Sequence, residues 1–244
     1  MKKLLGIILV AITLNSFSQS FEGTLTYVVD LEVWQAFAKE GVDKEAILNE
    51  LRADASWGDT INVTYKGGNY YSSPSNGNSG AIYLSSTNKL YSMVFVGKNS
   101  DICTVTDASV DEEYSMFEEM PKIEKLDTQV VINGINCDIV RVKWKLGIYD
   151  YYYNSSMFAV NPFLFEKHIY DGWSQFLEIS KALPIQIVKN LFMMTVTITL
   201  ISSEEKSVDD SLFTIPMLVK DKKLNKTNII SGREIMRIKK DKRK

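Results

Sequence analysis

Val130 to Tyr153 (V-V-I-N-G-I-N-C-D-I-V-R-V-K-W-K-L-G-I-Y-D-Y-Y-Y) limits what this chain can fold into more than any other stretch. Asn133-Gly134 lies between two β-branched runs, and both residues tolerate positive φ, so the segment opens as a β-hairpin. The strand that follows has an unusual pattern. Ile135, Cys137 and Ile139 share one face, whereas Val140, Val142, Trp144 and Leu146 share the other. Side chains alternate with a period of two, so this strand needs either a bulge near Ile139-Val140 or burial on both sides. The returning strand sets Tyr149, Tyr151 and Tyr153 in a row on one face. The middle of the chain is therefore a twisted, curved antiparallel sheet.

The same logic extends outward. Phe21 to Val33 alternates apolar and polar residues cleanly, with Leu25, Tyr27, Val29 and Leu31 on one side. Met194 to Ser203 does likewise, with Val196, Ile198 and Leu200 opposed to Thr195, Thr197 and Thr199. Both are half-buried antiparallel strands. Shorter strands are expected between Ile61 and Thr106, punctuated by Gly67-Gly68-Asn69 and by the polar loop Ser72 to Gly80. Helical segments interrupt them. Trp34 to Glu40 forms one, Asp43 caps a second with Ile47 and Leu51 as its stripe, and Asp171 caps a third in which Trp173 and Phe176 share a face. Asp107 to Pro121 is acidic and irregular, a linker crossing the sheet. Leu212 and Phe213 plug the sheet in the closing stretch Lys206 to Pro216. At 244 residues and 45% hydrophobic, the chain can bury a sizeable core. The expected class is α+β, mainly antiparallel β: a strongly curved, half-open, barrel-like sheet with helices covering its concave face.

The ends are set apart by charge. Lys2-Lys3, the apolar run Leu4 to Leu14 and the small residues Ser16 and Ser18 form a signal peptide over residues 1–18. Export to the periplasm or beyond, in a bacterial envelope, is expected, with Gln19 as the first mature residue. From Met217 onward eleven Lys/Arg face three acids, so residues 217–244 form a basic tail beside a single domain over 19–216. The tail is expected to be partly detached, with Ile229 to Ile238 available as an edge strand; it reads as a solubilising terminus or, alternatively, as a contact for an anionic membrane surface. In an oxidising compartment Cys103 and Cys137 permit one disulfide, and a bridge between them is expected. Two buried thiols are the other reading.

The residue inventory narrows the chemistry. A formal net charge of −2 argues neither for nucleic acid nor for a strongly acidic partner, and no nucleic acid is expected. His168 is the only histidine, expected as a partly exposed residue at a helix end, and neither cysteine has a nucleophile-like setting. One His and two scattered Cys make a poor zinc site, and no phosphate, dinucleotide or calcium loop is present. Neither a cofactor nor a metal is expected, and the chain reads as non-enzymatic.

The order of the signal peptide, F-E-G-T-L-T-Y, I-N-G-I-N-C-D-I-V, A-L-P-I-Q-I-V and V-D-D-S-L-F-T-I-P resembles an exported domain near the LolA/LolB-like lipoprotein-carrier superfamily. That resemblance implies a half-open barrel, lidded by helices, whose interior accepts acyl chains. A lipid or other apolar ligand would then meet Leu25, Tyr27, Val29, Val142, Trp144, Val196, Ile198 and Leu200 from the sheet, under Trp173 and Phe176. The alternative is a structural or protein-interaction module of the envelope with a filled core.

Overall fold

The computed structural model describes residues 20–53, 58–95, 101–224 and 232–239, so the expected signal peptide and the last five residues lie outside the described part. Strand β1 (Gly23–Val33) sits inside a single antiparallel sheet of 13 strands, paired with β2 (Thr60–Lys66) on one side. From there β3 (Asn69–Pro74), β4 (Ser79–Leu84), β5 (Lys89–Val94) and β6 (Ile102–Asp107) run outward as a meander. On the other side β1 pairs with β11 (Met194–Glu205), followed by β10 (Gln186–Asn190), β9 (Ile148–Tyr153), β8 (Ile135–Lys143) and β7 (Lys122–Ile132). The strands β12 (Leu218–Lys220) and β13 (Arg233–Ile238) extend the sheet beyond β6. The sheet is open, with β12 and β7 at its edges.

Chain length forces this sheet to curve. β6 and β7 lie ten strand positions apart, about 48 Å on a flat sheet at about 4.8 Å per strand. Only 14 residues connect them, six of which form helix α3 (Glu112–Phe117). Such a connection reaches about 36 Å at most, so the two halves must bend toward each other. The crossing linker anticipated from sequence is this segment. Its contacts show the bend: Ala108 O accepts from Ile169 N and Tyr170 N, while Glu113 Oε2 accepts from Leu146 N in the β8–β9 turn.

The strand apolar on both parities proves to be buried on both sides. Ile139 and Val140 are both buried, and β8 pairs with β9 without a break from Asp138 to Lys143. The register shift falls in the neighbouring β7 instead, between Leu126 and Val130. Asn133 and Gly134 adopt φ of 49° and 80°, as the hairpin requires.

Three apolar clusters hold the sheet. The main one joins Leu25, Tyr27, Val140, Val142, Trp144, Tyr151 and Tyr153 to Trp173, Phe176 and Leu177 of α4 (Trp173–Ser180). A second, on Ile82, Met93 and Cys103, is closed by Val208 and Phe213, the plug expected from sequence. The third packs Leu48 of α2 (Lys44–Ala53) onto Val29 and Leu31. The expected stripe residues Ile47 and Leu51 are only partly buried there, and Leu48 between them carries the contact. A short helix α1 (Gln35–Lys39) precedes it.

Two expectations are corrected. Cys103 and Cys137 are free thiols, not a disulfide. They lie in β6 and β8 with eight strands between them and belong to different clusters, so burial, not bridging, accounts for them. The stretch from Met217 is not a detached tail as far as it is described. Leu218 and Ile238 pack on the second cluster, and Arg237 pairs with Asp221 at 2.6 Å. β13 is moreover internal to the sheet, between β12 and β6, and not an edge. Lys240 to Lys244 fall outside the described residues.

Candidate functional site

One sheet face can be followed strand by strand. Val142 lies opposite Tyr149 and Val140 opposite Tyr151; Tyr151 then meets Ile187, Ile187 meets Ile198, and Ile198 meets Val29. Beyond β1 the line continues through Tyr27, Ile61 and Val63 to Tyr65, Tyr70 and Tyr83. On this face a half-enclosed cleft of about 230 Å³ opens between the sheet and the segment His168 to Trp173. Tyr27, Tyr65, Tyr70, Tyr151 and Trp173 supply aromatic walls, and Ile61, Val63, Leu90, Ile187 and Ile198 supply aliphatic ones. Ser72, His168, Tyr170, Asp171 and Lys189 bring the polar groups.

A tight turn creates the aromatic concentration. Gly67 and Gly68, at φ of 55° and 82°, reverse the chain so that Tyr65 pairs directly with Tyr70. Their rings lie 5.9 Å apart, and Tyr70 stacks on Tyr83 at 5.2 Å. His168 completes the stack, 4.4 Å from Tyr83 and hydrogen-bonded through Nε2 to the Tyr70 hydroxyl at 2.9 Å. Most hydroxyls are committed. Tyr27 donates to Pro184 O at 2.9 Å, and Tyr151 donates to Asp171 O at 2.7 Å. Burial drives the phenol pKa values of Tyr27, Tyr65, Tyr70 and Tyr151 upward, so these groups stay neutral.

Asp171 stands at the polar end in a left-handed conformation, φ 59° and ψ 12°. Three contacts hold it there: its N–H donates to Asp111 Oδ2 at 2.9 Å, its carbonyl receives Tyr151, and its carboxylate meets Lys189 at 2.6 Å. Burial raises the Asp111 carboxyl pKa, with the charges of Asp171 and Glu113 adding to the rise and two backbone donors opposing it. Gly172 follows at φ 70°, and a Cβ there would stand 2.6 Å from Val142 Cγ1. Asp171 is thus not the helix cap expected from sequence; Gly172 occupies that position and makes no side-chain cap.

The ten residues expected to line a cavity divide unevenly. Tyr27, Ile198 and Trp173 do line the cleft. Leu25, Val142, Trp144, Phe176 and Leu200 are packed into the main cluster, while Val29 and Val196 pack in the third. Sequence reading missed Tyr65, Tyr70, His168, Asp171 and Lys189. The tyrosine pair had a readable signal, since the Gly-Gly turn fixes which residues face each other. His168 had none, because its burial depends on β3 and β4 packing over a loop distant in sequence. It is 2% exposed, not a partly exposed helix-end residue.

That burial has a measurable consequence. Desolvation lowers the His168 pKa from about 6.5 to about 4, against the charge of Asp171 and backbone groups that favour protonation. Between these values the unfolded chain binds a proton that the folded one does not. Stability is therefore full above about pH 6.5 and falls as pH drops to about 4, by on the order of 3 kcal/mol. Denaturant midpoints across this range should show that slope in the native protein. In His168→Phe it should be smaller by nearly one proton; an unchanged slope would show that His168 is not the group responsible.

Among the described residues no group of three or more His, Cys, Asp or Glu is placed to hold a metal, and no helix is long and apolar enough to cross a membrane. No family model and no curated protein matches the sequence. Among solved structures, PNGF-II in its C2 and P21 crystal forms is similar at 11% and 12% identity, with TM-scores of 0.42 and 0.41. The matches cover 78% and 79% of this chain but only 29% and 30% of that one, so this chain spans less than a third of PNGF-II. A LolA superfamily protein from Nitrosomonas europaea is similar at 8% identity and a TM-score of 0.33, over 81% of this chain and 90% of that chain. These values describe a weak resemblance of fold and say nothing of what the cleft holds.

Proposed function

We propose that this chain is an exported, non-enzymatic binding protein of the cell envelope whose aromatic cleft takes a compact apolar ligand. The observation that carries this reading is the cleft itself: about 230 Å³, half-enclosed, and walled by aromatic and aliphatic side chains. It exceeds the about 150 Å³ that houses benzene in an engineered cavity and falls below the about 300–1,000 Å³ of sites for drug-sized ligands. One or two rings, or a short acyl segment, match that space; a long acyl chain would have to run partly outside it. The curved face bearing the cleft is then the concave side of the sheet, with α4 and the turns before it as the partial cover. Lys222, Lys223 and Lys239 are exposed in the C-terminal strand region, which suits attraction to anionic headgroups. Vesicle binding that does not weaken with salt would count against that role.

A second reading, a structural or interaction module with a filled interior, is favoured by the seven expected lining residues that prove to be packed. Filling the cleft separates the two. Val63 lines it and is only partly buried, so Val63→Phe places a ring in the space where a ligand would sit. Ligand-observed NMR with p-xylene should show saturable binding to the native protein. Binding should weaken at least tenfold in Val63→Phe while cooperative unfolding is retained. A folded native protein that binds neither p-xylene nor naphthalene saturably is the filled module.

A further inference from the structure

Several polar groups lining the cleft, the hydroxyls of Tyr65 and Ser72 among them, make no hydrogen bond within the described residues, and one of them points to a ligand. Tyr65 is 6% exposed and lines the cleft, yet its hydroxyl has no hydrogen-bond partner among the described residues. Its neighbours are spent, Tyr27 on Pro184 and Tyr70 on His168. The ring nitrogens His168 Nδ1 and Trp173 Nε1, also in the lining residues, are buried without partners as well. The two ring nitrogens are fully enclosed, and such groups in native proteins are nearly always satisfied by protein, water or ligand, whereas the Tyr65 hydroxyl is not among the enclosed atoms and is open to the cleft.

We propose that the Tyr65 hydroxyl donates a hydrogen bond to the acceptor oxygen of a neutral, ring-sized ligand, so that the cleft prefers aryl carbonyl compounds to hydrocarbons of the same shape. This rests on the reading of the cleft as a binding site. Neutrality follows from the charges present. Lys189, the cation of the lining, is already held by Asp171 at 2.6 Å, so a ligand carboxylate would lose its hydration without gaining a free counter-charge. An acceptor-bearing ring keeps the apolar contact with Tyr70, Tyr151 and Ile198 and gives the Tyr65 hydroxyl a partner.

Acetophenone and α-methylstyrene differ only by C=O against C=CH₂, and benzoate adds the charge. Dissociation constants for all three should be measured by ligand-observed NMR on the native protein and on Tyr65→Phe, with folding checked by circular dichroism. Acetophenone should bind about five- to tenfold more tightly than α-methylstyrene, and benzoate more weakly than either. In Tyr65→Phe that preference should fall to about one, with α-methylstyrene affinity within about twofold of native. Equal binding of the two to the native protein, or a preference that survives in Tyr65→Phe, overturns the hydrogen bond but leaves the cleft as an apolar site. Benzoate binding best overturns neutrality. Binding of none of the three by folded protein overturns the cleft reading and this inference together.

Discussion

Phe176→Ala is expected to destabilise the protein by about 3–5 kcal/mol and to abolish binding in the cleft. The side chain is fully buried, stacks on Tyr151 at 4.5 Å and 19°, and meets Tyr153 and Trp173 at centroid distances of 6.0 and 5.5 Å. Truncation removes the ring's transfer energy and leaves a cavity between α4 and the β8–β9 strands that rigid neighbours fill poorly. The proposed binding is coupled to this packing because Tyr151 and Trp173 form two walls of the cleft, and Phe176 packs against both. Denaturant unfolding should therefore show a lower midpoint with an unchanged slope, and p-xylene binding should be lost at temperatures where the variant remains folded. A loss below about 1.5 kcal/mol would mean that α4 collapses into the gap, and retained binding would mean that the cleft does not depend on α4.

The strands were legible because their evidence is local. Alternation in Phe21 to Val33 and in Met194 to Ser203 depends only on which face is buried, and β1 and β11 follow it. The two-parity strand was readable in part: Ile139 and Val140 left a bulge or burial on both sides, and the structure chose burial. Pairing was less legible. Nothing in the sequence near Cys103 or Cys137 says that β1 and β11 will insert between the two halves of the sheet, which is what separates the thiols. Likewise the alternation of Lys and apolar residues after Met217 reads as a charged tail until Leu218 and Ile238 find the second cluster.

The candidate site was legible in kind but not in place. An apolar face on the central strands was anticipated, and Tyr27 and Ile198 do line the cleft. Leu25 and Val142, on the same face, are instead packed in the main cluster, with Gly172 of the covering segment against Val142. Whether an apolar position becomes core or wall depends on where that segment stops. It turns at Asp171-Gly172, two successive left-handed residues, and the missing Cβ of Gly172 lets it press against Val142. The residues about that turn, His168 to Trp173, border the space that remains beside Tyr65 and Val63. A sequence shows the Asp-Gly pair; it does not show that the pair borders a cleft on strands distant in the chain.

On the opposite side of the same strands, Arg141→Met is expected to cost about 3 kcal/mol, the low end for a broken buried ion pair. Arg141 and Asp150 are direct cross-strand partners on β8 and β9, joined by two bonds of 2.7 Å in a bidentate fork. The burial is unequal: the Asp150 side chain is 7% exposed and that of Arg141 35%. Removing the arginine leaves a carboxylate out of water with no counter-charge, and solvent near the vacated guanidinium position relieves only part of that cost. Removing both charges is different. Arg141→Met with Asp150→Leu replaces the pair by apolar side chains beside Ile139, and should lie within about 1 kcal/mol of the native protein. Asp150→Leu alone should cost little, since the part-exposed Arg141 keeps its hydration, so the double-mutant cycle, measured by denaturant unfolding, should give a coupling of about 2–3 kcal/mol. A single Arg141→Met loss below about 1 kcal/mol would mean that the fork behaves as a surface pair, with water already reaching Asp150.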